Sequence, residues 1–66
     1  MNKIDRRNAS LAYNARAVAE WRAKGYSEAS INHMVICSLE CTRSVHADPA
    51  ADAVIVLEIA NGQRAA

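Results

Sequence analysis

Apolar residues gather along this chain in three stretches. In the first, Ile4, Leu11, Ala15 and Val18 fall on one stripe at helical spacing with Trp21 at its margin, which predicts a helix over about 5–24. Asp5 suits the start, as a cap or as a negative charge at the positive end of the helix dipole. Arg22 and Lys24 suit the end, and Gly25 terminates it. Ala12, Ala15 and Ala19 keep the stripe shallow, so another helix can approach closely.

The second stretch opens at Ser27, a good N-cap followed by Glu28, and is expected to run helically over about 27–45. At about 100° per residue, Met34, Cys41, Val45, Ser38, Ile31, Thr42, Val35 and Leu39 share one broad arc. Asn32, His33, Ile36, Glu40 and Arg43 lie opposite, so Ile36 is expected to face outward and to mark a further contact. The third stretch is ambiguous. Residues 53–59, AVIVLEI, have the β-branched content of a buried strand. Their flanks favour a helix over 49–60: Asp48 is an N-cap, Pro49 fits the first position, Asp52 lies in the first turn, and Asn61-Gly62 fits a C-cap. A lone strand would also need partners that neither neighbour supplies. The fold expected is therefore all-α, one small domain of three helices, with a strand as the alternative for the last segment.

As a helix, the third segment points Val54, Ile55, Val56, Leu57 and Ile59 in nearly every direction. A helix apolar all round must be covered all round, and two companions in so short a chain are expected to fall short. These five residues are thus the expected homodimer interface, with two-fold symmetry the default. The length points the same way. Sixty-six residues form one domain that buries only about 60% of its unfolded surface, so its core needs help from a disulfide, a metal or a partner. The composition, 52% hydrophobic with one Pro, two Gly and no Phe, is globular and favours close-packed helices.

The polar N-terminus MNKIDRRNAS lacks the apolar core of a secretory signal, and the longest apolar run, Ala53 to Leu57, is far too short to span a bilayer. Two cysteines in such a chain suggest reduced thiols and a cytoplasmic protein. The net charge of +1 is unevenly spread. Residues 1–24 carry +4 through Lys3, Arg6, Arg7, Arg16, Arg22 and Lys24 against Asp5 and Glu20; residues 25–66 carry −3. Such asymmetry suits a nucleic-acid surface or a complementary contact.

Residues 33–46, HMVICSLECTRSVH, hold both histidines and both cysteines. His33, Cys37 and Cys41 follow i, i+4, i+8 spacing, and with His46 they form an alternative metal set suited to Zn²⁺ or Cu(I). The helical wheel argues against it, placing His33 on the polar side, Cys37 at the border and Cys41 inside the apolar arc. No metal or other cofactor is expected, and free Cys more often packs as a small hydrophobe. A Cys/His enzyme is disfavoured for want of an oxyanion-hole element or room for a substrate pocket. Nucleic-acid binding has more to offer. Lys3, Arg6, Arg7, Arg16 and Lys24 can reach phosphates, and GYSEASINHMVIC resembles the turn and second helix of a helix-turn-helix, although it presents only Asn32 and His33 where a recognition helix needs several polar residues. A membrane-surface helix is weaker still, because the first segment's apolar side is mostly Ala.

Trp21 and Tyr26 either cover the junction of the first two helices or, with Arg22, form an exposed hot spot of the residue types that dominate interfaces. The expectation is a non-catalytic, dimeric module acting stoichiometrically on a larger protein as inhibitor, adaptor or accessory factor, through Trp21, Arg22, Tyr26 and Ile36. An origin in a phage or plasmid is a base-rate expectation with no residue behind it. The alternatives are a small dimeric DNA-binding regulator and a Cys/His metal sensor.

Overall fold

The computed structural model describes residues 1–64. It contains three helices, α1 (Lys3–Ala23), α2 (Glu28–Glu40) and α3 (Pro49–Ala60), and no strand among the described residues. The strand alternative for 53–59 is therefore overturned, and the residues at the helix ends explain why. The Asp48 carboxylate accepts the Ala51 N–H at 3.2 Å, Pro49 occupies the first turn, and Gly62 takes φ +75°. These local signals outweigh the weak β preference of Val and Ile, whose helix penalty is only a few tenths of a kcal/mol per residue.

The ends of α1 and α3 are built alike. At α1, Tyr26 N–H reaches back to Trp21 O at 3.2 Å and Gly25 N–H to Arg22 O at 3.0 Å; at α3, Gln63 N–H bonds Glu58 O and Gly62 N–H bonds Ile59 O. Both are Schellman caps, in which glycine at positive φ lets the chain turn back over the last carbonyls. At the other end of α1 the cap is Asn2, whose Oδ1 accepts the Asp5 N–H at 2.8 Å. Asp5 is thus the capped residue, and not the cap.

Helix α2 begins as expected, with Ser27 Oγ accepting the Ser30 N–H. It stops at Glu40, short of the expected Val45. From there the backbone tightens: Thr42 N–H and its hydroxyl both donate to Leu39 O, and Val45 N–H bonds Thr42 O. Three-residue hydrogen bonding of this kind ends helices, and the Thr, Ser and Val of this stretch hold a longer one poorly. The early stop turns the connection 41–48 towards α1 and α3.

Helix α3 packs extensively against both partners, whereas α1 and α2 meet each other less. The core lies where all three converge: Leu11, Ala15 and Val18 from α1, Ile31, Val35 and Leu39 from α2, Ala53 and Val56 from α3. Two corrections follow. Ile4, expected on the buried stripe, is 70% exposed. With 21 residues, α1 is roughly 30 Å long against roughly 20 Å for the others, so its first turn overhangs them. Val56, expected at a dimer interface, is wholly buried by the chain's own helices. Ile55, Leu57 and Ile59 are half-buried against the same core, and Val54 alone of the five stays open, at 58%. Two companion helices therefore cover α3 far better than its sequence suggests. Ile36, expected to face outward, packs partly inward against the core and is half-buried.

Candidate functional site

Two regions hold chemistry. The first is a polar cluster linking α1, the 41–48 connection and α3. His46 has no exposed surface. Its Nδ1 lies 2.7 Å from Asp52 Oδ2 and its Nε2 lies 2.8 Å from Ser10 Oγ. Arg7 clamps the same carboxylate, donating from Nη2 to Oδ1 at 2.7 Å and from Nε to Oδ2 at 3.3 Å. An ionised carboxylate only accepts, so Nδ1 carries a proton and donates it; in the neutral imidazole Nε2 then accepts from the Ser10 hydroxyl. Buried Asn14 completes the set, donating to Ser10 O at 2.9 Å. No buried side-chain nitrogen or oxygen among the described residues lacks a partner. Burial pushes the Asp52 carboxyl up, but the hydrogen bonds from Arg7 and His46, with the Arg7 charge, outweigh it and hold it below the ordinary aspartate range.

Ser10, His46 and Asp52 stand in the order of a nucleophile, base and orienting acid. The burial argues for a different role. A base that must pass its proton to a leaving group needs to face substrate, and His46 is sealed on all sides. The cluster is a cross-link, satisfied internally and joining first helix to last.

The second region is a groove between α1 and α2, on the side that α3 leaves open. It has a volume of about 430 Å³ and its lining is overwhelmingly apolar. Tyr13, Ala17 and Trp21 form the α1 wall; Met34, Cys37, Ser38 and Cys41 form the other, with His33 on the same helix and Asn14 at the base. Ala17 keeps one wall low. Tyr13 is 65% exposed, and Trp21 and Met34 are half-buried, packed partly on the core and partly open. A smaller depression of about 200 Å³ adjoins it, sharing Tyr13 and Ala17 and adding Arg16 and Glu20.

Of the partner-binding residues expected from sequence, Trp21 alone lines this groove. Arg22 is occupied by Glu28 through two hydrogen bonds, 2.8 and 3.0 Å, which raise the guanidinium and lower the carboxyl from their usual values. Tyr26 is half-exposed at the helix cap. The four-residue metal set does not assemble. His46 is turned to Ser10 and Asp52, and among the described residues no three His, Cys, Asp or Glu side chains form a cation site. His33 and Cys37 do meet, with Nε2 and Sγ 3.6 Å apart, and Cys41 is exposed at the end of α2, not buried in an apolar seam.

The basic residues of α1 separate as well. Arg7 is taken by Asp52, while Lys3, Arg6, Arg16 and Lys24 stay exposed along the helix with Asp5 and Glu20 among them. Sequence reading missed Asn14 and Ser10 altogether, and it placed His46 and Asp52 in other roles. A carboxylate on an otherwise apolar helix was the available signal, since such a charge buries only with partners. No helix among the described residues is long and apolar enough to cross a membrane. No family model, curated protein or solved structure matches the chain.

Proposed function

We propose that the protein is a non-catalytic binding module that seats an amphipathic helix of a larger protein in the groove between α1 and α2. It acts stoichiometrically, as an inhibitor, adaptor or accessory factor. The observation that carries this reading is the open apolar groove itself, walled by partly buried Trp21 and Met34 in a domain whose third side is already filled by α3. A fourth helix laid there would complete a four-helix bundle, and Ala17 permits the close approach such packing needs. Arg16 and exposed Glu20 stand beside Tyr13 and Ala17, so a partner helix carrying charges of both signs beside its apolar stripe suits this rim.

Trp21 is the only tryptophan of the chain, so its emission reports on the groove. The test is capture from the native host with wild type and with Ala17→Glu, followed by titration of the captured protein's helical segment. The reading expects capture to fail with Ala17→Glu and Trp21 emission to shift on binding. Equal capture by both proteins, or a partner that leaves Trp21 emission unmoved, overturns it.

The homodimer expected from α3 is a second reading, favoured by exposed Val54 beside half-buried Ile55. Sedimentation at micromolar concentration separates the two. A monomer whose groove variants lose the partner removes the dimer and keeps the module.

A further inference from the structure

We propose that Cys37 is a covalent modification site for small apolar disulfides, with His33 as the proton acceptor. Three observations combine. The Cys37 thiol is free and exposed, so reagents reach it. His33 Nε2 stands 3.6 Å from its sulfur, within reach of the thiol proton. Cys37 also lines the apolar groove together with Trp21, Tyr13 and Met34, so an uncharged aromatic disulfide gains contact surface as it approaches. Cys41 is an internal control: it is equally free, exposed and on the same groove, but no histidine contact is found at its sulfur.

The exchange balances without any further reactant. The Cys37 S–H proton passes to His33 Nε2, and the thiolate attacks one sulfur of R–S–S–R. The Cys37 Sγ–S bond forms as the reagent's S–S bond breaks, and the departing R–S⁻ takes the proton from His33. The products are the mixed disulfide and R–SH. Because the thiolate and not the thiol is the nucleophile, a proton acceptor in contact with the sulfur acts directly on the rate. The site stands independently of the partner-helix reading, although an adduct on Cys37 would occupy the same groove.

The probe is 4,4′-dithiodipyridine, an uncharged aromatic disulfide, with oxidised glutathione as the charged comparison. The folded protein is treated briefly with limiting reagent, and each cysteine's modification is followed by peptide mass mapping. Cys37 is expected to react about tenfold faster than Cys41, and the two to become equal in strong urea. Because both cysteines line the groove, oxidised glutathione is expected to react more slowly than 4,4′-dithiodipyridine at each of them once each reagent is normalised to free cysteine. His33→Gln, which keeps a polar side chain but removes the base, is expected to bring Cys37 down to the rate of Cys41 with helix content unchanged by circular dichroism. Equal rates at the two cysteines in the folded wild type overturn the proposal without needing any variant. A Cys37 rate unmoved by His33→Gln overturns the role of His33, and equal normalised rates with both reagents overturn the role of the groove.

Discussion

The polar cluster and the apolar groove invert what each region's chemistry suggests. The cluster has the groups of an active site, a hydroxyl, an imidazole, a carboxylate and a guanidinium within hydrogen-bonding distance, yet its imidazole and carboxylate are buried and none of its buried polar atoms lacks a partner. The groove has almost no polar chemistry, yet it is open and made of side chains that a core would normally cover. Burial, and not reactivity of the residue types, separates the two. A satisfied buried network fixes the architecture, whereas partly exposed apolar surface remains available for binding.

The difference can be broken most forcefully at Asp52. Asp52→Ala leaves Arg7 and buried His46 without their carboxylate, and removing one partner of a buried pair costs about 3–5 kcal/mol. A domain of this length has roughly 3–10 kcal/mol in total, so the variant is expected to be largely unfolded near 37 °C, as read by denaturant titration.

The second way to probe it is pH. The folded Asp52 carboxyl sits below its unfolded value of 3.8. The carboxylate's contribution is therefore fully present above that value and is lost as pH falls through the folded one. Urea midpoints measured from pH 6 to pH 2 should drop below about pH 4, and an Asp52→Asn variant, already weakened, should show a flatter acid limb.

The groove should respond least. Ala17→Glu places a charge on the half-buried wall of the open groove, where the carboxylate can reach solvent and the cost stays close to the roughly 0.5 kcal/mol of a surface substitution, so its melting temperature should stay near wild type even as partner capture is lost. A large loss of stability in that variant would mean that the groove wall belongs to the core and that the contrast drawn here is false.

Much of the fold was legible because its signals are local. Asp48-Pro49 and Asn61-Gly62 delimit α3 before any packing is known, and Gly25 marks the end of α1. Ile31, Val35 and Leu39 are buried as their periodicity requires. What the sequence hid depends on three dimensions. The overhang that exposes Ile4 follows from the relative lengths of the helices, which no single stripe contains. The end of α2 at Glu40 follows from where the connection must go, and that in turn sends His46 inwards and Cys41 outwards. The site was least legible. Ser10 and Asn14 carry no periodic signal and Asp52 reads as a first-turn charge, and only pairing with Arg7 and His46, across as many as 45 positions in sequence, makes burial of Asp52 tolerable. The groove was glimpsed through Trp21 alone, since a groove is defined by the absence of a neighbour, which a helical wheel does not record.

The cluster also bears on the order in which the chain folds. Ser10 and His46 are 36 positions apart, and Arg7 and Asp52 are 45 apart, so closing these contacts requires the longest loops in the molecule. The caps and turns, by contrast, form between residues three to five apart. Loop-closure entropy delays distant contacts until local ones have formed. The clasp between the first helix and the third should thus be absent from the folding transition state and complete only afterwards. It is therefore a brake on unfolding: loosening it should leave the folding rate nearly unchanged and let the native molecule open sooner.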